Sequence, residues 1–202
     1  MVMAGIIIAA SKWRMLRLPW KLIALELIIV FVAQSLALIL ALQHVKNTWL
    51  MNLFILVDLL CLGIAAILMI QSQKRQQIFI YLLALTCVLC CSSMLHSGMN
   101  TELNSLAFLT SGIYLSATYL LLLFQASTSD YPFRQPILWV SLGVILYFGC
   151  NVPFFSLFHY LSTDQTRWKK LGLYLYFINS ALAIIRYAFV SYGFIKLEKS
   201  ER

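Results

Sequence analysis

Along this chain apolar residues gather into blocks of about twenty, each closed by a short polar cluster, and a block of that length matches a helix crossing a hydrocarbon layer about 30 Å thick. The first complete block runs from about Trp20 to Leu42 and is closed by Gln43, His44, Lys46 and Asn47. The second runs from Trp49 to Ile70 and ends in Gln71, Gln73, Lys74, Arg75 and Gln76; the third runs from Ile78 to Leu95, before the polar stretch Ser97 to Asn104. The fourth covers Leu106 to Phe124. The fifth covers Ile137 to Leu157, after the turn-rich Ser127 to Pro136, and the sixth Leu171 to Ile195, before the charged tail Lys196 to Arg202. Met1 to Ala10, extended to Met15, is too short to span alone and reads as a partial N-terminal helix. It has no positively charged region ahead of its apolar residues and no convincing cleavage site, so it reads as retained and not as a secretory signal. The pattern predicts an all-α polytopic transmembrane bundle with six full spans plus this short segment. No repeat, low-complexity tract or linker divides it, so 1–202 reads as a single transmembrane domain.

Composition agrees with the pattern: 62% of the 202 residues are hydrophobic and only 11% charged, far from the usage of a water-soluble domain. Six or seven spans fill this length, leaving no room for a soluble catalytic, nucleotide-binding or DNA-binding domain of useful size. The net charge of +8 would suggest nucleic acid in a soluble protein. Here the basic residues lie almost wholly between apolar blocks, where they set topology, and no nucleic-acid partner is expected. One face carries Lys12, Arg14, Arg17, Lys21, Lys74, Arg75, Arg134, Lys196, Lys199 and Arg202; the other carries Lys46, Arg167, Lys169 and Lys170. The richer face is expected to be cytoplasmic, placing the chain in the cell's inner (plasma) membrane with the C-terminus inside, although Arg167, Lys169 and Lys170 oppose that orientation. Trp20, Trp49, Trp139 and Trp168 fall near span ends, as interfacial aromatics do.

Polar side chains at membrane depth carry the remaining information, because each is costly there unless partners or water receive it. Counted at about 1.5 Å per residue, Glu26 and Arg186 reach a similar depth from the basic face and are expected to form a structural ion pair. Asp58 and Asn179 lie nearer the middle, Gln34 and Asn151 on its outer side, with Tyr147 one turn from Asn151. One reading makes all of these interhelical glue. The other gathers Gln34, Asp58, Tyr147, Asn151 and Asn179 around an outward-facing ligand cavity, with Asp58 as the anionic group and the amides as orienting contacts. Pro153 frees the carbonyl of Gly149 and predicts a kink beside Asn151.

Candidate chemistry elsewhere is thin. His44, His96 and His159 fall near outer helix ends with Glu102 and Asp164 in the same loops, but none has metal-ligand spacing. Cys87, Cys90 and Cys91 sit inside a span without a second pair and read as small packing residues, as do Cys61 and Cys150. Gly112 and Ser116 permit close helix approach. No P-loop, nucleophile elbow or paired-carboxylate site is present, so no catalytic residue, metal or cofactor is assigned.

The stretch Leu138-Trp139-Val140-Ser141-Leu142-Gly143-Val144-Ile145-Leu146-Tyr147-Phe148-Gly149-Cys150-Asn151 resembles the late-helix signature, roughly F-W-x-x-x-G-x-x-L-Y-x-x-x-N, of small uncharacterised seven-helix integral membrane proteins common in Bacteroidota. Asn47-Thr48-Trp49-Leu50 leading to Asp58, where that family tends to carry Glu, and the closing helix with Asn179 are similar too. These pieces together reach over about two-thirds of the chain. The departure is at the N-terminus, where the family has a complete first helix. The resemblance implies a seven-helix fold and a sensor or accessory role, transfers no activity, and directs attention to Asp58, Tyr147, Asn151 and Asn179. The resulting expectation is a ligand-sensing or accessory component that acts through a partner membrane protein and contacts membrane lipids. The alternative is a small transporter or channel component using Glu26, Asp58 and Arg186. A third possibility is a metal-dependent lipid hydrolase using the outer histidines.

Overall fold

A computed structural model describes residues 2–45, 47–98, 104–128, 134–161 and 165–200, with the side chains of 134, 154–176 and 198–200 left aside. The described residues form seven helices and no strand: α1 (Val2–Ser11), α2 (Leu18–Leu42), α3 (Thr48–Met69), α4 (Gln73–Ser97), α5 (Ser105–Thr128), α6 (Arg134–Leu161) and α7 (Gln165–Ser200). Six of them, α2 to α7, are long and apolar enough to cross a membrane, and α1 is the short apolar helix beside them. This is the predicted polytopic all-α bundle. The helices α4 to α7 run past their apolar blocks into polar residues, because the i to i−4 hydrogen-bond ladder needs no apolar side chain to continue. Thus α4 begins at Gln73 and not at Ile78, and α7 begins six residues before Leu171. The helix α6 also continues through Pro153.

The turns show how local chemistry closes the bundle. After α2, His44 takes a positive φ of 56°, while the amide of His44 donates to Ala41 O and that of Val45 to Leu40 O. This is a Schellman motif with histidine where glycine is usual. Between α4 and α5, Asn104 ties three helices together. Its Oδ1 accepts from the amide of Ala107, capping α5, and from Ser93 Oγ; its Nδ2 donates to Ser97 Oγ, and its own amide donates to Asn52 Oδ1 of α3. Asn104→Ala is therefore expected to lower stability by about 1–2 kcal/mol from the lost cap alone. A detergent melting curve, together with faster amide exchange in the first turn of α5, measures it. An unchanged melting point would show that water replaces these contacts without loss.

Packing at the level of the backbone links α2 to α3, α3 to α4 and α5, α4 to α5, α5 to α6 and α6 to α7, with α1 seated on both α7 and α2. Among the described residues the backbones of α2 and α3 do not come that close to α6 or α7. These two halves meet through side chains, Trp20 of α2 lying edge-on to Phe194 of α7 with ring centroids 5.8 Å apart. The approach of α6 to α7 is much closer. A Cβ on Gly143 would stand 3.1 Å from the carbonyl oxygen of Arg186 and 2.9 Å from Phe189 Cβ, so this contact accepts only hydrogen at position 143.

Candidate functional site: a buried arginine between two carboxylates

Glu26 sits on the stripe of α2 that also buries Ile23, Ala24, Leu27 and Val30, and Asp58 on the stripe of α3 that buries Ile55, Leu59 and Leu62. Both stripes face the bundle interior, and there the guanidinium of Arg186 from α7 meets both acids. Arg186 Nη1 donates to Asp58 Oδ2 and Nη2 to Asp58 Oδ1, each at 2.9 Å, while Nη2 also donates to Glu26 Oε1 at 2.6 Å. Arg186 and Glu26 are each 1% exposed and Asp58 4%. The geometry is a bidentate fork on Asp58 with Glu26 on the remaining hydrogen of Nη2, the arrangement in which a planar guanidinium binds carboxylates most strongly.

Aromatic rings enclose this cluster. The Arg186 Cζ lies 5.0 Å from the ring centroid of Tyr147, 5.3 Å from that of Phe148 and 5.3 Å from that of Tyr187, within cation–π range. Nearby, Tyr119 of α5 donates its hydroxyl to Leu62 O, one turn along α3 from Asp58. With three ionisable groups buried together, each charge depends on the others. Desolvating an isolated ion costs several kcal/mol, and only paired geometry with satisfied hydrogen bonds offsets it. Arg186 is consequently the one group in the described bundle that joins α7, α2 and α3 and also touches the rings of α6.

The sequence candidates separate into two sets. Glu26 and Arg186 pair as expected. Asp58, expected in an outer layer, shares the same guanidinium, and Tyr147 packs against that guanidinium. Asn151 is buried, with its Nδ2 lacking a hydrogen-bond partner, and Asn179 is half-buried, with its Oδ1 likewise unpartnered among the described residues. The antiparallel register fixed by Gly143 against Arg186 places these two amides at one level. Asn151 lies eight residues beyond Gly143 along α6, and Asn179 seven residues before Arg186 along α7. Gln34 is in neither set. It is exposed on the outside of the bundle, because eight residues past Glu26 at about 100° each turn a side chain roughly 80° away from the inward stripe. Around it Phe31, Val32, Leu36, Leu38, Ile39 and Leu42 are exposed as well, so among the described residues no helix covers this face of the C-terminal half of α2.

Phe148 and Tyr187, which the reading of polar residues passed over, contribute as much of the enclosure as Tyr147. Their signal was position alone: Tyr187 adjoins Arg186, and Phe148 adjoins Tyr147. Cys90 is buried against Ala107 O and Thr110 Oγ1 of α5, whereas Cys91 is exposed and Cys87 half-buried, so the three thiols do not share one environment. Gly112 brings α5 against Val152 and Phe148 of α6. No group of three or more His, Cys, Asp and Glu able to hold a metal ion occurs among the described residues. Lys46, Glu102 and Asp164 lie outside the described residues, as do the side chains of His159 and of Arg167, Lys169 and Lys170. Comparison with known proteins finds no family model, no curated protein and no solved structure that matches this chain.

Proposed function

We propose that the chain is a non-catalytic component of the cell's inner membrane, with its C-terminus in the cytoplasm, that receives a small polar ligand from the outer side and acts through a partner membrane protein. The exposure of Gln34 is the observation that carries this reading. An amide facing acyl chains gains most from a second helix that accepts and donates hydrogen bonds, and the bare apolar surface around it on α2 offers that helix a seat. Support for the ligand comes from Asn151 and Asn179, whose buried Nδ2 donor and Oδ1 acceptor, at the same level, have no hydrogen-bond partner among the described residues. The basic residues concentrated at one end of the spans support the orientation. The resemblance to seven-helix sensor or accessory proteins points the same way.

The test is photo-crosslinking in the native membrane from position 38, where Leu38 is 62% exposed one turn beyond Gln34, against position 81 on α4, where Tyr81 is 75% exposed. The expected result is a discrete adduct from position 38 only, reduced about threefold by Gln34→Leu, the equivalent of one interhelical hydrogen bond. Adducts of equal pattern from both positions, or no response to Gln34→Leu, would remove the basis for a partner on α2.

A second reading, a small transporter, is favoured by one observation: two carboxylates share a single guanidinium, leaving one formal negative charge at membrane depth. Under that reading purified protein in liposomes drives substrate or proton flux that Asp58→Ala abolishes. Under the first it drives none.

A further inference from the structure

We propose that Glu26 and Asp58 together hold one proton, so that the cluster inside the bundle consists of a carboxylic acid, a carboxylate and a guanidinium and has no net charge. The first ground is the nitrogen they share. Arg186 Nη2 donates to Asp58 Oδ1 at 2.9 Å and to Glu26 Oε1 at 2.6 Å, which brings an oxygen of each acid to one nitrogen. The two carboxyl groups are also hydrogen-bonded to each other. A carboxylate accepts hydrogen bonds and donates none, so a bond between two carboxyl groups requires a proton on one of them.

The second ground is the surroundings. Two ionised acids and one guanidinium leave a negative charge buried at membrane depth, where an uncompensated ion is costly. The other titratable side chains that act on Glu26 are Cys61 of α3, Tyr119 of α5, Tyr147 of α6 and Tyr187 of α7. A thiol or a phenol is neutral or anionic and never a cation, so none of them cancels that charge. The helix α1, which packs on α2, carries no titratable side chain. Among the described residues Arg186 is thus the only cation at the cluster. Arg134, the nearest in sequence of the cations whose side chains are left aside, opens α6 nine residues before Gly143, about 13 Å along the helix. The division of hydrogen bonds places the proton. Asp58 receives two from Arg186, one on each oxygen, and Glu26 one. Hydrogen bonds to an ionised carboxylate favour the ionised form, so Asp58 keeps the charge, while Glu26 accepts from Nη2 at Oε1 and donates its hydroxyl to Asp58. The inference concerns the arginine cluster alone and stands under either reading of function given above.

Carbon-13 NMR of the full chain in lipid at neutral pH, with glutamate and aspartate labelled at the carboxyl carbon, tests the proposal. The two signals are assigned by their couplings to the Arg186 nitrogens and, independently, by their loss in Glu26→Gln and Asp58→Asn. The expected spectrum has the Glu26 carbon at the shift of a protonated acid and the Asp58 carbon at that of a carboxylate. Replacing sodium by choline in the buffer is expected to move neither, since the compensating species is a proton and not a metal cation. A melting curve supplies the second readout. Glu26→Gln is expected to melt within a few degrees of wild type, because the amide is neutral like the acid and keeps one donor and one acceptor, whereas Glu26→Ala is expected to melt lower. Two carboxylate signals, a protonated Asp58 beside an ionised Glu26, a Glu26 shift that follows sodium, or a Glu26→Gln variant as unstable as Glu26→Ala would each overturn the proposal.

Discussion

Arg186→Met is expected to be the most damaging single substitution in this protein, costing about 3–5 kcal/mol. Methionine fills much of the same space and can pack against Tyr147, Phe148 and Tyr187, so volume is not the issue. The loss comes from Glu26 and Asp58, which would then stand buried, close together and without a cation. The same reasoning predicts a rescue. Adding Glu26→Gln and Asp58→Asn to Arg186→Met removes the stranded charges and is expected to restore most of the stability, because a neutral core of similar volume often equals a buried ion cluster. Melting midpoints in detergent for the single and triple variants measure both effects. A single variant that melts like wild type would mean that the guanidinium is not holding the acids, and a triple variant no better than the single would mean that its role is not electrostatic.

Gly143→Leu is the second large effect. An isobutyl group at a position where even a Cβ meets the Arg186 carbonyl oxygen at 3.1 Å and Phe189 Cβ at 2.9 Å cannot be absorbed by a rotamer change, because a backbone atom blocks it. The helices α6 and α7 must separate, at about 1–3 kcal/mol or more. That separation also carries Tyr147 and Phe148 away from the guanidinium, so the variant is expected to loosen the arginine cluster as well as the helix pair. Increased amide exchange around both Arg186 and Tyr147, together with a lower melting point, is the expected record. Exchange raised only at the Gly143 contact would show that the cluster does not depend on the register of α6 and α7. Gly143→Ala is expected to fall between wild type and leucine.

The sequence made the six crossings and the pairing of Glu26 with Arg186 readable, because block length sets span number and counting residues from the basic ends sets depth. Asp58 was placed one layer too far out by the same counting. It lies eleven residues from Met69, as Arg186 does from Leu197 at the end of its apolar stretch, so the two share a depth of about 16 Å. Glu26, eight residues from Leu18, sits about 4 Å nearer the basic end. Counting Cα positions treats that gap as a separation, but an arginine fork reaches both levels at once. Gln34 shows the other limitation: depth says nothing about azimuth, and in a helix apolar on every side no hydrophobic stripe reveals which face turns inward. The network around Asn104 was not read in advance: in the sequence Asn104 only ends a polar stretch between two apolar blocks. Its partners Asn52, Ser93 and Ser97 come from distant positions that only the tertiary packing unites.

The central claim is that one guanidinium inside the bilayer engages carboxylates from two other helices. Magic-angle-spinning NMR of the lipid-reconstituted chain, with guanidinium nitrogens and carboxyl carbons labelled, measures it directly through dipolar couplings from Arg186. With N···O distances of 2.6 and 2.9 Å, couplings to the carboxyl carbons of both Glu26 and Asp58 are predicted, each lost on conversion of that acid to alanine. Coupling to neither acid, with Arg186 instead in contact with acyl-chain protons, would contradict the account.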